Sequence, residues 1–259
     1  MAAFEPASGS APAGDQQEDA PHRRKLKVLM LHGWSQNEKV YSDRTGPLRR
    51  KLKNLAELVY ISAPHRLPMI EGGRDNARGW FFYTTDADNL NDTSSAFAET
   101  PTVYHKWEES REVIAQAWAA HGMFDAIVGF SQGAVVVHQL LAEMQCAAAT
   151  SPEVAIASDA CSDNVRYLLT TPPTFAVLVA GFASRHSLPP NTHRTRIKTP
   201  SLHVCSPQDT TVPPELHARL FEQFDPTTAV MVSHEKGHQM PHTADSLAQV
   251  RDFFARFAF

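Results

Sequence analysis

The chain has 259 residues, 42% hydrophobic and 20% charged, with a formal net charge of −4, the profile of a soluble globular enzyme. That length can bury a core able to hold a site without disulfides or a structural metal, and the mild acidity gives no footing for nucleic acid. Cys146, Cys161 and Cys205 contain no CxxC pair, which fits reduced thiols and a cytoplasmic location, and no run nears the roughly 18 apolar residues of a membrane span.

Residues 1 to 24 are rich in Ala, Pro, Gly, Ser and acids, with almost no large apolar side chains. Such a segment cannot offset its ordering entropy, so a disordered tail is expected, followed by one domain over residues 25–259. Glu5, Asp15, Glu18 and Asp19 speak against a transit leader, and a signal peptide's basic-then-apolar order is missing. The basic cluster His22-Arg23-Arg24-Lys25 with Lys27 adjoins an apolar run and reads as the solvated start of a strand.

From there short apolar runs alternate with amphipathic stretches. Val28-Leu29-Met30-Leu31 is a continuous run, as a strand buried on both faces requires. Leu48, Leu52 and Leu55 fall at helical spacing before a second run, Leu58-Val59-Tyr60-Ile61. Residues 107–118 fit a helix, Ala126-Ile127-Val128 a strand, and Val136, Val137, Leu140, Leu141 and Met144 the next helix. Strands are predicted at 175–179, 202–205 and 229–232. Helices are predicted on Leu216, Leu220 and Phe224, and on Leu247, Val250, Phe254 and Phe257. About six strands interleaved with helices predict an α/β fold, a mostly parallel sheet covered on both faces. Ligands in such folds sit at the carboxyl ends of the strands.

Two stretches break the rhythm. Residues 66–104 hold Gly72-Gly73, the aromatic block Trp80-Phe81-Phe82-Tyr83 and a polar run, and residues 146–173 are rich in Ala, Ser and Pro. Long irregular segments in a compact domain are functional lids or insertions. A lid is expected for the first and a surface insertion for the second.

Gly129-Phe130-Ser131-Gln132-Gly133 matches GxSxG, after a buried-strand signal and opening a helix signal. That is the strand–turn–helix setting of a nucleophile elbow, with small residues where larger ones would clash. A serine hydroxyl needs an imidazole to take its proton, and that imidazole needs a carboxylate to hold its tautomer. Asp209 follows the strand ending at Cys205, and His238 follows the strand ending near Ser233. The order Ser, Asp, His is that of α/β hydrolases. Asp225 and Asp245 compete for the acid role but lie beside helices. His234, His238 and His242 recur every four residues, a metal-like spacing, but Gly237 and Pro241 interrupt any helix there, so no metal is expected. After the first strand, His32-Gly33-Trp34 allows close backbone approach, and the amides of Trp34 and Gln132 are the expected oxyanion hole. His32 reads as a structural support of that loop.

These stretches together resemble the FSH-type serine hydrolases of the α/β-hydrolase superfamily. The residues carrying the resemblance are 28–37 (VLMLHGWSQN), Gly129 to Ala134, Asp209 with Val212-Pro213, Gly237-His238 with Met240-Pro241, and Ser62-Ala63-Pro64-His65. It spans nearly everything from about residue 25, outside the two irregular stretches. The GFSQG block alone is shared with carboxylesterase and acyl-protein thioesterase relatives. The resemblance implies an α/β-hydrolase fold, carboxylesterase activity on apolar acyl esters, Ser131, Asp209 and His238 as the triad, and no cofactor. Some such enzymes release acyl or polyketide chains from thioesters. The chain departs from the pattern at Ser206-Pro207-Gln208, where relatives often carry Gly before the Asp.

The expected substrate is a small-molecule ester with an apolar acyl chain, or alternatively a thioester. Trp80 and Phe81 are its expected contacts, unless the aromatic block is simply core. A catalytically idle scaffold used for binding is the third reading.

Overall fold

In the computed structural model, which describes residues 24–68, 73–84, 97, 103–149, 162–186 and 195–258, six strands form one parallel sheet. They are β1 (Leu26–Leu31), β2 (Ala56–Ile61), β5 (Ala126–Phe130), β6 (Phe175–Val179), β7 (Ser201–Cys205) and β8 (Ala229–Ser233), in the order β2-β1-β5-β6-β7-β8. Every neighbouring pair is parallel. The short β3 (His65–Arg66) and β4 (Arg78–Gly79) pair antiparallel beside it.

Alternation along β1 explains why it sits inside the sheet. Leu29 and Leu31 join one apolar cluster, while Leu26, Val28 and Met30 join the other. On the first face lie α3 (Trp107–His121), α4 (Gln132–Ala149), α5 (Asp163–Thr170) and α6 (Pro214–Phe221). Against the second lie α1 (Glu38–Arg44), α2 (Gly46–Leu52) and α7 (Ala244–Ala255). A strand covered on both sides has no polar face, which is why these runs are continuous rather than alternating.

The chain runs outward from β1 to β2, then crosses to β5 on the other side of β1 and continues outward to β8. The reversal puts the carboxyl ends of β1 and β5 side by side at a switch point. The loops after β1, β5, β7 and β8 therefore open at one edge of the sheet.

All six expected strands are present. The expected tail lies outside the described residues except for Arg24, whose guanidinium grips Asp125 with two bonds of 2.7 Å. The expected surface insertion is in part regular structure. Here α4 runs on to Ala149, and Ser162 caps α5 by accepting from Val165 N; residues 150–161 lie outside the described residues. Much of the expected lid does too, and of its aromatic block Trp80, Phe81 and Phe82 are buried while Tyr83 is half-buried.

Candidate active site

Ser131 stands between β5 and α4 with φ +53°, a left-handed conformation that costs a non-glycine residue of order 1–3 kcal/mol. The turn is held by Ser131 N–H on the Val179 carbonyl at 2.9 Å and by Ala134 N–H on the Ser131 carbonyl at 2.9 Å. The two glycines are steric requirements. A Cβ on Gly129 would lie 2.3 Å from the Gly133 carbonyl oxygen, and one on Gly133 would lie 2.3 Å from that of Leu31. Without either clash, α4 starts directly behind the serine and points its positive end at the site.

The loops after β7 and β8 bring the other two groups to this serine. His238 Nε2 lies 2.9 Å from Ser131 Oγ, and its Nδ1 lies 2.8 Å from Asp209 Oδ2. The second oxygen, Oδ1, accepts from Thr211 N at 2.9 Å and Val212 N at 2.8 Å. Burial by itself would raise the Asp209 carboxyl. The neighbouring His217 and His238 imidazoles, the Val212 amide and the charge of His238 outweigh it and hold the group well below the ordinary carboxylate range. Phe130 packs its ring 5.0 Å from that of His238.

Ser206 ties the two loops together. Its hydroxyl accepts from Gln208 N at 3.2 Å and Gly237 N at 3.0 Å, and it donates to Gln208 Oε1 at 3.1 Å. This is how the chain accommodates its departure ahead of Asp209: a hydroxyl crosslinks the backbone on either side.

The amides of Trp34 and Gln132 open the loop after β1 and the helix after β5, which are neighbouring strands. Neither amide has an acceptor among the described residues. The Gln132 side chain faces the other way, accepting from Trp80 N at 2.8 Å and donating to the Phe81 carbonyl at 2.9 Å. His32 is fully buried under the same loop. Its Nδ1 donates to the Gly33 carbonyl at 2.8 Å, and its Nε2 accepts from Ala63 N at 2.9 Å. Arg78 bonds the carbonyls of Ala63 and Pro64, so the Ser62-Ala63-Pro64-His65 stretch braces the loop after β1.

Beside Ser131 is a mostly apolar cavity of about 200 Å³, walled by Trp34, Tyr83, Phe97, Phe182 and Val212. Trp80 and Phe81, expected against substrate, are placed elsewhere. Both are 0% exposed. The Trp80 indole N–H donates to the His32 carbonyl at 2.8 Å, and Phe81 stacks on Tyr104 at 3.8 Å. They hold the floor of the site while Tyr83, two residues on, reaches the cavity. A second, more polar cavity of about 430 Å³ adjoins His238 on the Phe130 and Tyr41 side.

Of the competing residues, Asp225 closes a turn with Thr227 at the surface, and His242 Nδ1 bonds the Met240 carbonyl. No group of three His, Cys, Asp or Glu side chains among the described residues could hold a metal ion. No helix among them is long and apolar enough to cross a membrane. Three contributors escaped the sequence reading: the Gln132 side chain, Ser206 and His217. Gln132 and Ser206 act across loops, where no periodicity points to them. His217 lies at helical spacing from Pro213 and Leu220 on α6, which places it on the inner face.

The family described as serine hydrolase (FSH1) matches residues 22–250. Esterase OVCA2 of Homo sapiens is 33% identical over 249 residues, covering 91% of this chain and 98% of its own length. The Danio rerio esterase OVCA2 is 32% identical, covering 90% and 97%. Among solved structures, Zea mays acyl-protein thioesterase 2 has a TM-score of 0.58 at 15% identity over 91% of this chain and 95% of its own. Esterase PE8 has 0.56 at 18%, over 92% and 94%. These last two share the fold.

Proposed function

The chain belongs to the FSH1 serine hydrolase family, and from that premise we propose that it cleaves carboxylic esters with an apolar acyl chain, using Ser131, His238 and Asp209. The observation carrying this reading is the unbroken line of bonds from Asp209 through His238 to Ser131, ending beside an apolar cavity.

In this mechanism Ser131 Oγ attacks the ester carbonyl while its proton passes to His238 Nε2. Asp209 keeps Nδ1 protonated beforehand and stabilises the imidazolium that forms. The oxyanion lies against the Trp34 and Gln132 amides, whose donation is worth more in the tetrahedral state than in the planar ester. His238 then gives its proton to the departing alcohol, leaving an acyl-enzyme. Water, activated by the same imidazole, releases the acid. No cofactor is needed.

Thioesters are the rival substrates, because the acyl-enzyme is identical. The Trp34, Phe182 and Val212 walls favour apolar acyl chains in either case. Each added methylene buried is worth about 0.8 kcal/mol, roughly fourfold in kcat/KM, until the cavity is full. A panel of matched oxygen and sulfur esters of increasing acyl length tests this. A rising then falling profile supports the acyl pocket, and a flat profile contradicts it. Higher kcat/KM on the sulfur series would reassign the enzyme as a thioesterase.

A further inference from the structure

We infer that His217 is a positioning residue for the proposed triad, a second imidazole that presents an N–H to Asp209 and holds its carboxylate for His238. The inference rests on the serine-hydrolase reading above.

His217 lies on α6, eight residues beyond Asp209, and its side chain is 5% exposed while that of Asp209 is 0% exposed. Its Nε2 stands 3.5 Å from Asp209 Oδ2, longer than a closed hydrogen bond. That nitrogen is buried and has no hydrogen-bond partner among the described residues. A buried imidazole nitrogen left without a partner is costly, and here the nearest acceptor is the triad carboxylate.

The surroundings decide what it can do there. Oδ1 is filled by two backbone amides, and Oδ2 already accepts from His238 Nδ1 at 2.8 Å. Oδ2 has capacity for one further donor, and His217 Nε2 lies 3.5 Å from it. Only the tautomer with hydrogen on Nε2 suits that approach, because a lone pair aimed at a carboxylate repels it. The other groups interacting with His217 are His203 of β7 and His234 after β8, both lowered by burial first of all. The cluster therefore carries one anion, Asp209, near His203 and His234, whose burial disfavours their charged forms. An N–H from His217 steadies this anion alongside that of His238. The carboxylate has to stay aligned while the His238 imidazolium forms, so losing this support falls on kcat rather than on substrate binding.

His217→Phe keeps the ring volume and removes the donor, with His217→Leu as the smaller alternative should Phe not pack. His217→Gln restores an N–H at the Nε2 position. The apolar variant is expected to lose about tenfold in kcat and in the rate of Ser131 labelling by a fluorophosphonate, with KM within twofold. The Gln variant is expected within about threefold of the parent. The low-field proton resonance of His238 Nδ1–H reports the same contact without turnover, moving in the apolar variant and returning with Gln. Three results each overturn the inference: the apolar variant matches the parent, both variants are equally impaired, or the loss is confined to KM. Failure of the parent itself to be labelled at Ser131 counts against the serine-hydrolase reading instead, and the proton resonance then decides the His217 contact alone.

Discussion

At the scale of single residues, each member of the site is specified by what its neighbours forbid. Asp209 cannot rotate, since two amides pin one oxygen and His238 holds the other. Replacing it by Asn supplies a donor where His238 Nδ1–H needs an acceptor, which leaves the imidazole in the wrong tautomer. Asp209→Asn should lower kcat by about 10³- to 10⁴-fold with the fold intact. Because Asp209 is held well below the ordinary carboxylate range, it stays ionised where imidazoles titrate. The acidic limb of kcat/KM should therefore fall with a slope of one proton; a slope of two would mean that the carboxyl titrates with it.

His32 gives a separate pH signature, in stability. Burial first of all, with the nearby charge of Arg78 adding to it against the bond to the Gly33 carbonyl, lowers its pKa from 6.5 to about 4. The unfolded chain takes up this proton near 6.5 and the folded chain only near 4. Stability from this group is complete above 6.5 and falls by about 3 kcal/mol as pH descends to 4. Urea midpoints measured across that window should decline with acid. His32→Gln, whose carbonyl can accept from Ala63 without titrating, should flatten the slope.

At the scale of elements, the turn between β5 and α4 is the point of least tolerance. Gly133→Ala forces a methyl into the Leu31 and His32 carbonyls, where backbone rather than a flexible side chain must give way. A loss of about 3 kcal/mol or more in unfolding free energy is expected, read by chemical denaturation. The cavity wall is more forgiving. Phe182→Ala widens it and should move the preferred acyl chain to greater length, with kcat on short esters little changed.

Legibility in the sequence followed the same division. Strands covered on both faces announced themselves as apolar runs, and strand-end reasoning then put Ser131, Asp209, His238, Trp34 and Gln132 at one edge. The short α1 was not legible, because Tyr41 is its only buried residue and one residue makes no period. The α5 signal was present in Ser162 followed by Val165 and Leu168, but compositional bias nearby obscured it. Trp80 and Phe81 show the limit most clearly. Residue type marked an aromatic block beside the site, yet only the Gln132 clamp on the backbone of both determines that they face the core and that Tyr83 faces the cavity.

At the scale of the whole molecule, one topological fact organises the rest. Reversal of the strand order at β1, with β2 on one side and β5 on the other, juxtaposes the loops that follow two parallel strands. Continuing outward to β7 and β8 brings Asp209 and His238 to the same edge, within bonding distance of one another and of Ser131. The site belongs to the sheet as a unit, so its geometry depends on distant packing such as Phe175 against Phe254 and Phe257 only through the sheet's register.

The central claim is that Ser131 is a nucleophile activated by His238. A fluorophosphonate reacts only with a serine so activated, and mass spectrometry of the labelled chain identifies the residue. The account predicts stoichiometric labelling at Ser131, abolished by Ser131→Ala and slowed by several orders of magnitude in His238→Ala, with both variants folded. An unlabelled, correctly folded parent chain, or labelling that survives Ser131→Ala, would contradict it.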